Sequence, residues 1–103
     1  MVYVATVVLH VRPSKRPEVL SAIRQVMRSM RASPECVECR SLAATDDANA
    51  LALVSEWRTH EALDELMKSH EFLVLKGMRM LLQTDAQLVV DEITARRVLV
   101  LDD

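Results

Sequence analysis

The chain has 103 residues, 13 of them basic and 15 acidic, for a formal net charge of −2. That balance excludes the clustered positive charge of a nucleic-acid binder, and the length leaves room for a single domain, residues 1–103. Half of the residues are hydrophobic, yet the aromatics are only Tyr3, Trp57 and Phe72, so aliphatic and methionine side chains must fill the core.

A domain this small buries only about two thirds of its unfolded surface, so so apolar a chain is expected to hide more by self-association. No run reaches the roughly 18 apolar residues of a membrane span. The first residues, "MVYVATVVLHV", alternate like a strand and lack a basic leader, so a cytoplasmic protein is expected.

Residues 2–11 predict a first strand, rich in valine, which is stiff at χ1 and favours extended backbone. Tyr3, Ala5, Val7, Leu9 and Val11 share one face; Val2, Val4, Thr6, Val8 and His10 share the other. Both faces are largely apolar, whereas a strand wet on one side shows polar residues there. Ser14 is the expected N-cap of a helix with Pro17 in its first turn. Val19, Ile23, Val26, Met27 and Met30 form its apolar stripe, with Arg24, Arg28 and Arg31 on a solvated face, and Ser33-Pro34 ends it.

Residues 36–45 and 50–58 read as two strands joined by a turn at "DDAN", which makes a hairpin. Thr59 caps a helix whose buried stripe is Ala62, Leu63, Leu66 and Met67. A break at Ser69 starts a further helical segment. Its apolar residues, from Phe72 to Leu82, are too many for one stripe and predict cover nearly all round. Gly77 within it predicts a kink or a close approach. Residues 86–93 predict a fourth strand. The tail run "VLVL", 98–101, predicts an extra strand over about 97–101 beyond a core of 2–93.

The order β-α-β-β-α-β is that of an α+β, ferredoxin-like domain, an antiparallel sheet with helices on one face. Its second face carries Val, Leu and Ala, and each such large side chain left wet forfeits about 1.5–3 kcal/mol. A sheet-to-sheet homodimer is therefore expected, with the tail strand pairing across it.

Cys36 and Cys39 form C-V-E-C. On a regular strand, residues three apart point to opposite faces, and no second pair completes a tetrahedral site, so two reduced thiols are expected. His10, His60 and His70 lack chelate spacing, so no metal is expected. His70, beside Phe72, is the candidate pocket base. Trp57 shares a face with Leu51, Leu53 and Ser55, which makes it first a core plug and second a wall whose ring and N–H orient a planar ligand.

Glu56-Trp57-Arg58-Thr59, then Glu61-Ala62-Leu63, then Ser69-His70-Glu71-Phe72, resembles the antibiotic biosynthesis monooxygenase family, whose signature is E-W-x-[ST]-x-E-A-L followed by S-x-x-F. The resemblance covers about residues 2–93 and implies a dimer of ferredoxin-like domains with packed sheets. Haem-degrading members carry asparagine, tryptophan and histidine where this chain has Val7, Leu66 and Lys76, so haem degradation is not expected. Polyketide oxygenases match at Trp57 but have asparagine and tyrosine at Leu53 and Leu63. Quinol-type members have histidine at Leu66 and Glu71, and the usual glycine before Cys36 is Glu35. The family implies a monooxygenase that needs no cofactor and oxidises a small electron-rich aromatic such as a quinol or phenol. In that reading Trp57 stacks on the ring, His70 takes a proton, Arg40 or Arg79 meets the oxyanion, and Phe72, Met67 and Met78 are walls. The alternative is a non-catalytic dimeric module that binds a small apolar ligand or serves regulation.

Overall fold

A computed structural model describes residues 1–102. Four strands, β1 (Val2–His10), β2 (Cys36–Ala44), β3 (Asp47–Trp57) and β4 (Gln87–Ile93), form one antiparallel sheet in the order β2-β3-β1-β4. Three helices, α1 (Arg16–Arg31), α2 (His60–Lys68) and α3 (His70–Lys76), cover one face. This is the expected α+β, ferredoxin-like plan. The central strand β1 pairs Val7 with Leu53 on one side and with Leu88 on the other.

The period of two decides what is buried. Ala5, Val7 and Leu9 of β1, and Leu51, Leu53, Ser55 and Trp57 of β3, all point to the helices and are buried. They meet Val19, Ile23, Val26, Met27 and Met30, the apolar stripe of α1. Leu9 and Leu53 are completely buried, each worth about 1.5–3 kcal/mol of removal from water. The opposite face keeps Val4, Val8, Ala52 and Val54 only half-buried, with Leu42 and Val89 exposed.

Both cap residues of the second helical region act as the sequence requires. Thr59 accepts a hydrogen bond from the Ala62 N–H at 3.1 Å, and Ser69 accepts one from the Phe72 N–H at 3.2 Å. Ser69 also closes α2, its hydroxyl donating to the Leu66 carbonyl at 2.7 Å, so one residue ends a helix and begins the next. Thr59→Ala is expected to destabilise the domain by about 1 kcal/mol. That is a fall of roughly 4–8 °C in Tm, read by thermal unfolding followed by circular dichroism.

Five expectations need correction. Ser14 caps nothing: Pro13–Lys15 form a 3-10 turn and Lys15 leads into α1 without a side-chain cap. The hairpin turn is Thr45–Asp46 rather than the whole of "DDAN", and Asp47 already starts β3, its carboxylate accepting from the Asn49 N–H at 2.9 Å. The segment after Ser69 is not covered all round. Phe72, Leu75, Met78 and Leu82 are buried at helical spacing, while Leu73, Val74 and Met80 are exposed. Gly77 makes no close approach. It lies at φ −77° in open space, where α3 tightens into the 3-10 turn Gly77–Leu81.

The tail is the fifth. Residues 95–102 form no strand within the chain, and Val98, Leu99, Val100 and Leu101 are between 71% and 96% exposed. The sheet has open edges at β2 and β4, and the tail pairs with neither. The tail is nevertheless tethered. Arg96 donates two hydrogen bonds to the Glu56 carboxylate at 2.9 and 3.1 Å, and Glu56 is buried.

Candidate active site

Trp57 ends β3 on the helix-facing side and is only 2% exposed. Its indole N–H donates to the Ser55 hydroxyl at 2.9 Å, and Ser55 is itself buried on the same face. The N–H is therefore spent inside the protein and does not orient a ligand, a correction to the expectation. A buried indole needs such a partner, and the residue two back on the same strand supplies it.

One side of Trp57 nevertheless borders a cavity of about 410 Å³. The end of α1 contributes Ser29 and the segment after it Ser33 and Glu35. Thr59 and α2 contribute Glu61, Ala62, Glu65 and Leu66, and Ser69 closes the corner. The α2 set follows from helical spacing: Ala62, Leu66 and Ser69 fall on one line, with Glu61 and Glu65 one turn apart beside it. The interior is apolar at Trp57, Ala62 and Leu66, and the rim is polar. Three rim hydroxyls already cap backbone: Thr59 accepts from Ala62, Ser69 from Phe72, and Ser33 from the Glu35 N–H at 3.3 Å. No imidazole or guanidinium lines the cavity.

The other predicted site residues are dispersed. His70, exposed at the start of α3, lines a smaller hollow of about 180 Å³ with Gln25, Val26 and Val74. His70 follows Ser69, which lines the Trp57 cavity, but the two hollows share no lining residue. Phe72 is buried and borders a third hollow of about 170 Å³ with Val7, Leu75 and Leu88, where the Lys76 ammonium stands 5.6 Å from its ring. Met78 is in the core and Met67 packs against it; neither lines the Trp57 cavity.

Arg40 stands opposite Val54, on the sheet face away from the helices, and pairs with Glu38 at 3.2 Å. Arg79 pairs with Asp85 at 2.9 Å beside a wide hollow of about 540 Å³ bounded by the 79–85 segment. Neither arginine reaches Trp57, because one is on the wrong face of the sheet and the other on the far side of α3. His60 is engaged by Asp64 at 3.0 Å and meets the Tyr3 ring edge-on at 5.7 Å. His10 is exposed at the end of β1.

The two cysteines also depart from expectation. A β-bulge at Val37 shifts the register, so that Cys36 pairs with Trp57 and Cys39 with Ser55. Both thiols therefore face the helices rather than opposite sides. They are free, and the Cys39 sulfur lies 3.4 Å from that of Met30. Burial pushes the Cys39 thiol up to about 11, with Cys36 adding to the rise and Arg31 opposing it. Burial likewise raises Cys36, opposed by the Glu38 backbone and by Arg31 and Arg58. Among the described residues no three His, Cys, Asp or Glu side chains converge as a metal site, and no helix is long and apolar enough to cross a membrane.

Sequence reasoning missed Glu35, Glu61, Glu65, Ser29 and Ser33. The α2 carboxylates carried a signal in their spacing of four. The contribution of α1 carried none, since Ser29 and Trp57 meet only through packing.

The family profile of the antibiotic biosynthesis monooxygenases matches residues 1–76. A sequence search of curated proteins returns no match. Among solved structures, Rv0793 from Mycobacterium tuberculosis superposes with a TM-score of 0.84 at 19% identity, covering 95% of this chain and 100% of that one. PA3566 from Pseudomonas aeruginosa gives 0.78 at 18% identity over 91% and 95% of the two chains. SnoaB, a cofactor-independent oxygenase from Streptomyces nogalater solved as a point mutant, gives 0.75 at 19% identity over 95% and 96%. At these identities the likeness is one of fold.

Proposed function

The chain belongs to the antibiotic biosynthesis monooxygenase family, and from that premise we propose that it is a cofactor-independent monooxygenase acting on a small electron-rich aromatic, a quinol or phenol. The single observation that carries this reading is the cavity of about 410 Å³ walled by the buried indole of Trp57, at the E-W-R-T junction that bears the family signature. Its volume suits one or two aromatic rings. SnoaB, a cofactor-independent oxygenase, shares the fold.

In such a reaction the substrate itself supplies the electrons. A phenolic hydroxyl loses a proton, the phenolate passes an electron to O₂, and the radical pair combines at a ring carbon that bears hydrogen to give a peroxide. The peroxide then loses water, so that a quinol C₆H₄(OH)₂ + O₂ gives the hydroxyquinone C₆H₄O₃ + H₂O. The protein has to seat the ring, accept the proton and keep bulk water out. Glu35, Glu61 and Glu65 border the cavity itself and are the proton acceptors in reach, and a general base must first be within reach of the proton it takes. His70 lines a different hollow and acts only on a substrate long enough to pass Ser69. Arg40 and Arg79 take no part in this reading.

Assembly belongs to the same proposal. The protein acts as a cytoplasmic homodimer whose half-bared sheet face, with the apolar tail at 98–101, packs against a second copy. Continuity of Val4, Val8, Ala52, Val54, Leu42 and Val89 on one face supports it.

The test is oxygen uptake over a panel of quinols and anthrones, with Ala62→Phe as the blocking variant. Ala62 lines the cavity and is only half-buried, so the larger ring fills the space without disturbing the core. Uptake by the native chain and its loss, by at least about tenfold, in Ala62→Phe with Tm unchanged is the expected result. The lack of imidazole and guanidinium in the cavity wall favours one second reading, a non-catalytic binding module. Ligand binding that Ala62→Phe abolishes, with no oxygen consumed by the native chain, selects it.

A further inference from the structure

We propose that Cys36, Cys39 and Met30 form a site for one soft monovalent metal ion, Cu(I), at the sheet edge where β2 passes the end of α1. The site is separate from the Trp57 cavity, which none of the three residues lines, and it goes beyond the monooxygenase reading.

The bulge at Val37 makes the site. On a regular strand the two thiols point to opposite faces; with the bulge, Cys39 lies in the core and Cys36 packs against it. Met30, in the last turn of α1, meets Cys39 from the helix layer, the two sulfurs 3.4 Å apart. Two sulfurs held by one metal at about 2.3 Å each stand roughly 3.8 Å apart, so this pair has to open by only a few tenths of an ångström. A thiol is a weak donor and a thioether a weak acceptor, so little is lost when a metal takes the proton's place.

The third sulfur is in reach. Cys36 and Cys39 stand opposite Trp57 and Ser55, two residues apart on β3, and that spacing is about 6.6–6.8 Å along a strand. It is the outer limit for a disulfide, which draws its sulfurs to about 2.05 Å. A metal lets them rest about 1.8 Å further apart, so it joins two thiols that a direct bond barely spans.

The donor set selects the ion. Two thiolates and a thioether are soft ligands that suit Cu(I), whereas structural Zn(II) asks for four ligands, and no His, Asp or Glu among the described residues joins these three. Binding is Cu⁺ + 2 RSH → [Cu(SR)₂]⁻ + 2 H⁺, with the Met30 thioether as the neutral third ligand. Arg31 meets the remaining negative charge. It donates to the Cys39 carbonyl at 3.0 Å and favours both thiolates, and Arg58 favours that of Cys36. Cys39 and Met30, 5% and 2% exposed, form a dry floor, and the half-buried Cys36 is the way in from solvent.

The full chain, reduced and under argon, is titrated with Cu(I) as its acetonitrile complex in competition with bathocuproine disulfonate. One Cu(I) per chain is expected, with a sulfur-to-copper charge-transfer band in the ultraviolet. Quenching of the Trp57 emission is expected beside it, because Cys36 lies opposite Trp57. Affinity is expected to fall by at least about 100-fold in Cys36→Ser and by about tenfold in Met30→Leu, which loses the weaker ligand. Met30→Leu conserves volume and Cys36→Ser alters a half-buried position, so the Tm of each stays close to native. An excess of Zn(II) of about tenfold is expected to leave the copper in place. The native titration and the zinc competition stand even if a variant folds poorly.

No copper held against the chelator, unchanged affinity in either folded variant, displacement by Zn(II), or one copper per two chains overturns the inference. Each of those results leaves the monooxygenase reading intact, since oxygen uptake is measured on the metal-free chain.

Discussion

Trp57→Ala is expected to cost about 3–5 kcal/mol of folding stability, the range for deleting a large buried aromatic. The residue is 2% exposed, packs in the same cluster as Leu53, Leu63 and Leu66, and closes the end of β3 against the helices. Its removal leaves a void and also strands the Ser55 hydroxyl, which is buried and whose partner is the indole N–H. A domain of this size has roughly 5–15 kcal/mol in total, so the variant sits near the edge of folding. Trp57→Phe keeps most of the ring and loses only the N–H and some volume; about 1–2 kcal/mol is expected. Urea unfolding followed by circular dichroism measures both, since the variants have no tryptophan emission. A Trp57→Ala chain within 1 kcal/mol of the native one would mean that the indole is a lid over the cavity rather than part of the core.

Val8→Glu is expected to turn the proposed dimer into a monomer. Val8 lies at the middle of the central strand, on the face away from the helices, between Ala52 and Gln87. In the single chain it is half-buried, so a glutamate there keeps its carboxylate in water. In the proposed sheet-to-sheet dimer the same carboxylate is taken out of water against the partner's apolar face, and desolvating an unpaired charge costs several kcal/mol. The dimer Kd should rise by at least about 100-fold, which corresponds to roughly 2.7 kcal/mol. Sedimentation equilibrium at micromolar concentration reads the shift, and Val8→Thr is the control of similar shape. Native protein that sediments as a monomer, or a Val8→Glu chain that stays dimeric, would move the interface away from this face.

Much of the fold was legible because its determinants are local. The period of two in residues 2–11, the period of about 3.6 in α1 and the hydroxyls of Thr59 and Ser69 act within a few residues. The element order, the sheet plan and the burial of Trp57 followed from them, and so did the apolar character of both sheet faces. Where local signals compete, the reading failed. Pro13 directs a 3-10 turn that takes Ser14 out of the cap position, and the apolar run 98–101 has strand propensity yet pairs with neither open edge of its own sheet, β2 or β4.

What tertiary structure alone decided is which side chains share a space. One extra residue at Val37 turned Cys36 and Cys39 to the same face, and nothing in C-V-E-C announces a bulge. The cavity joins Ser29, Trp57 and Glu65, residues far apart in sequence, because the end of α1, the end of β3 and one side of α2 converge on it. The same packing sent Arg40 to the opposite face of the sheet and set His70 one hollow away from the indole. Periodicity and capping are properties of neighbours along the chain, so the sequence by itself determined the elements and their buried sides. Convergence depends on how those elements cross, and that was settled only by the interlocking of side chains from distant segments.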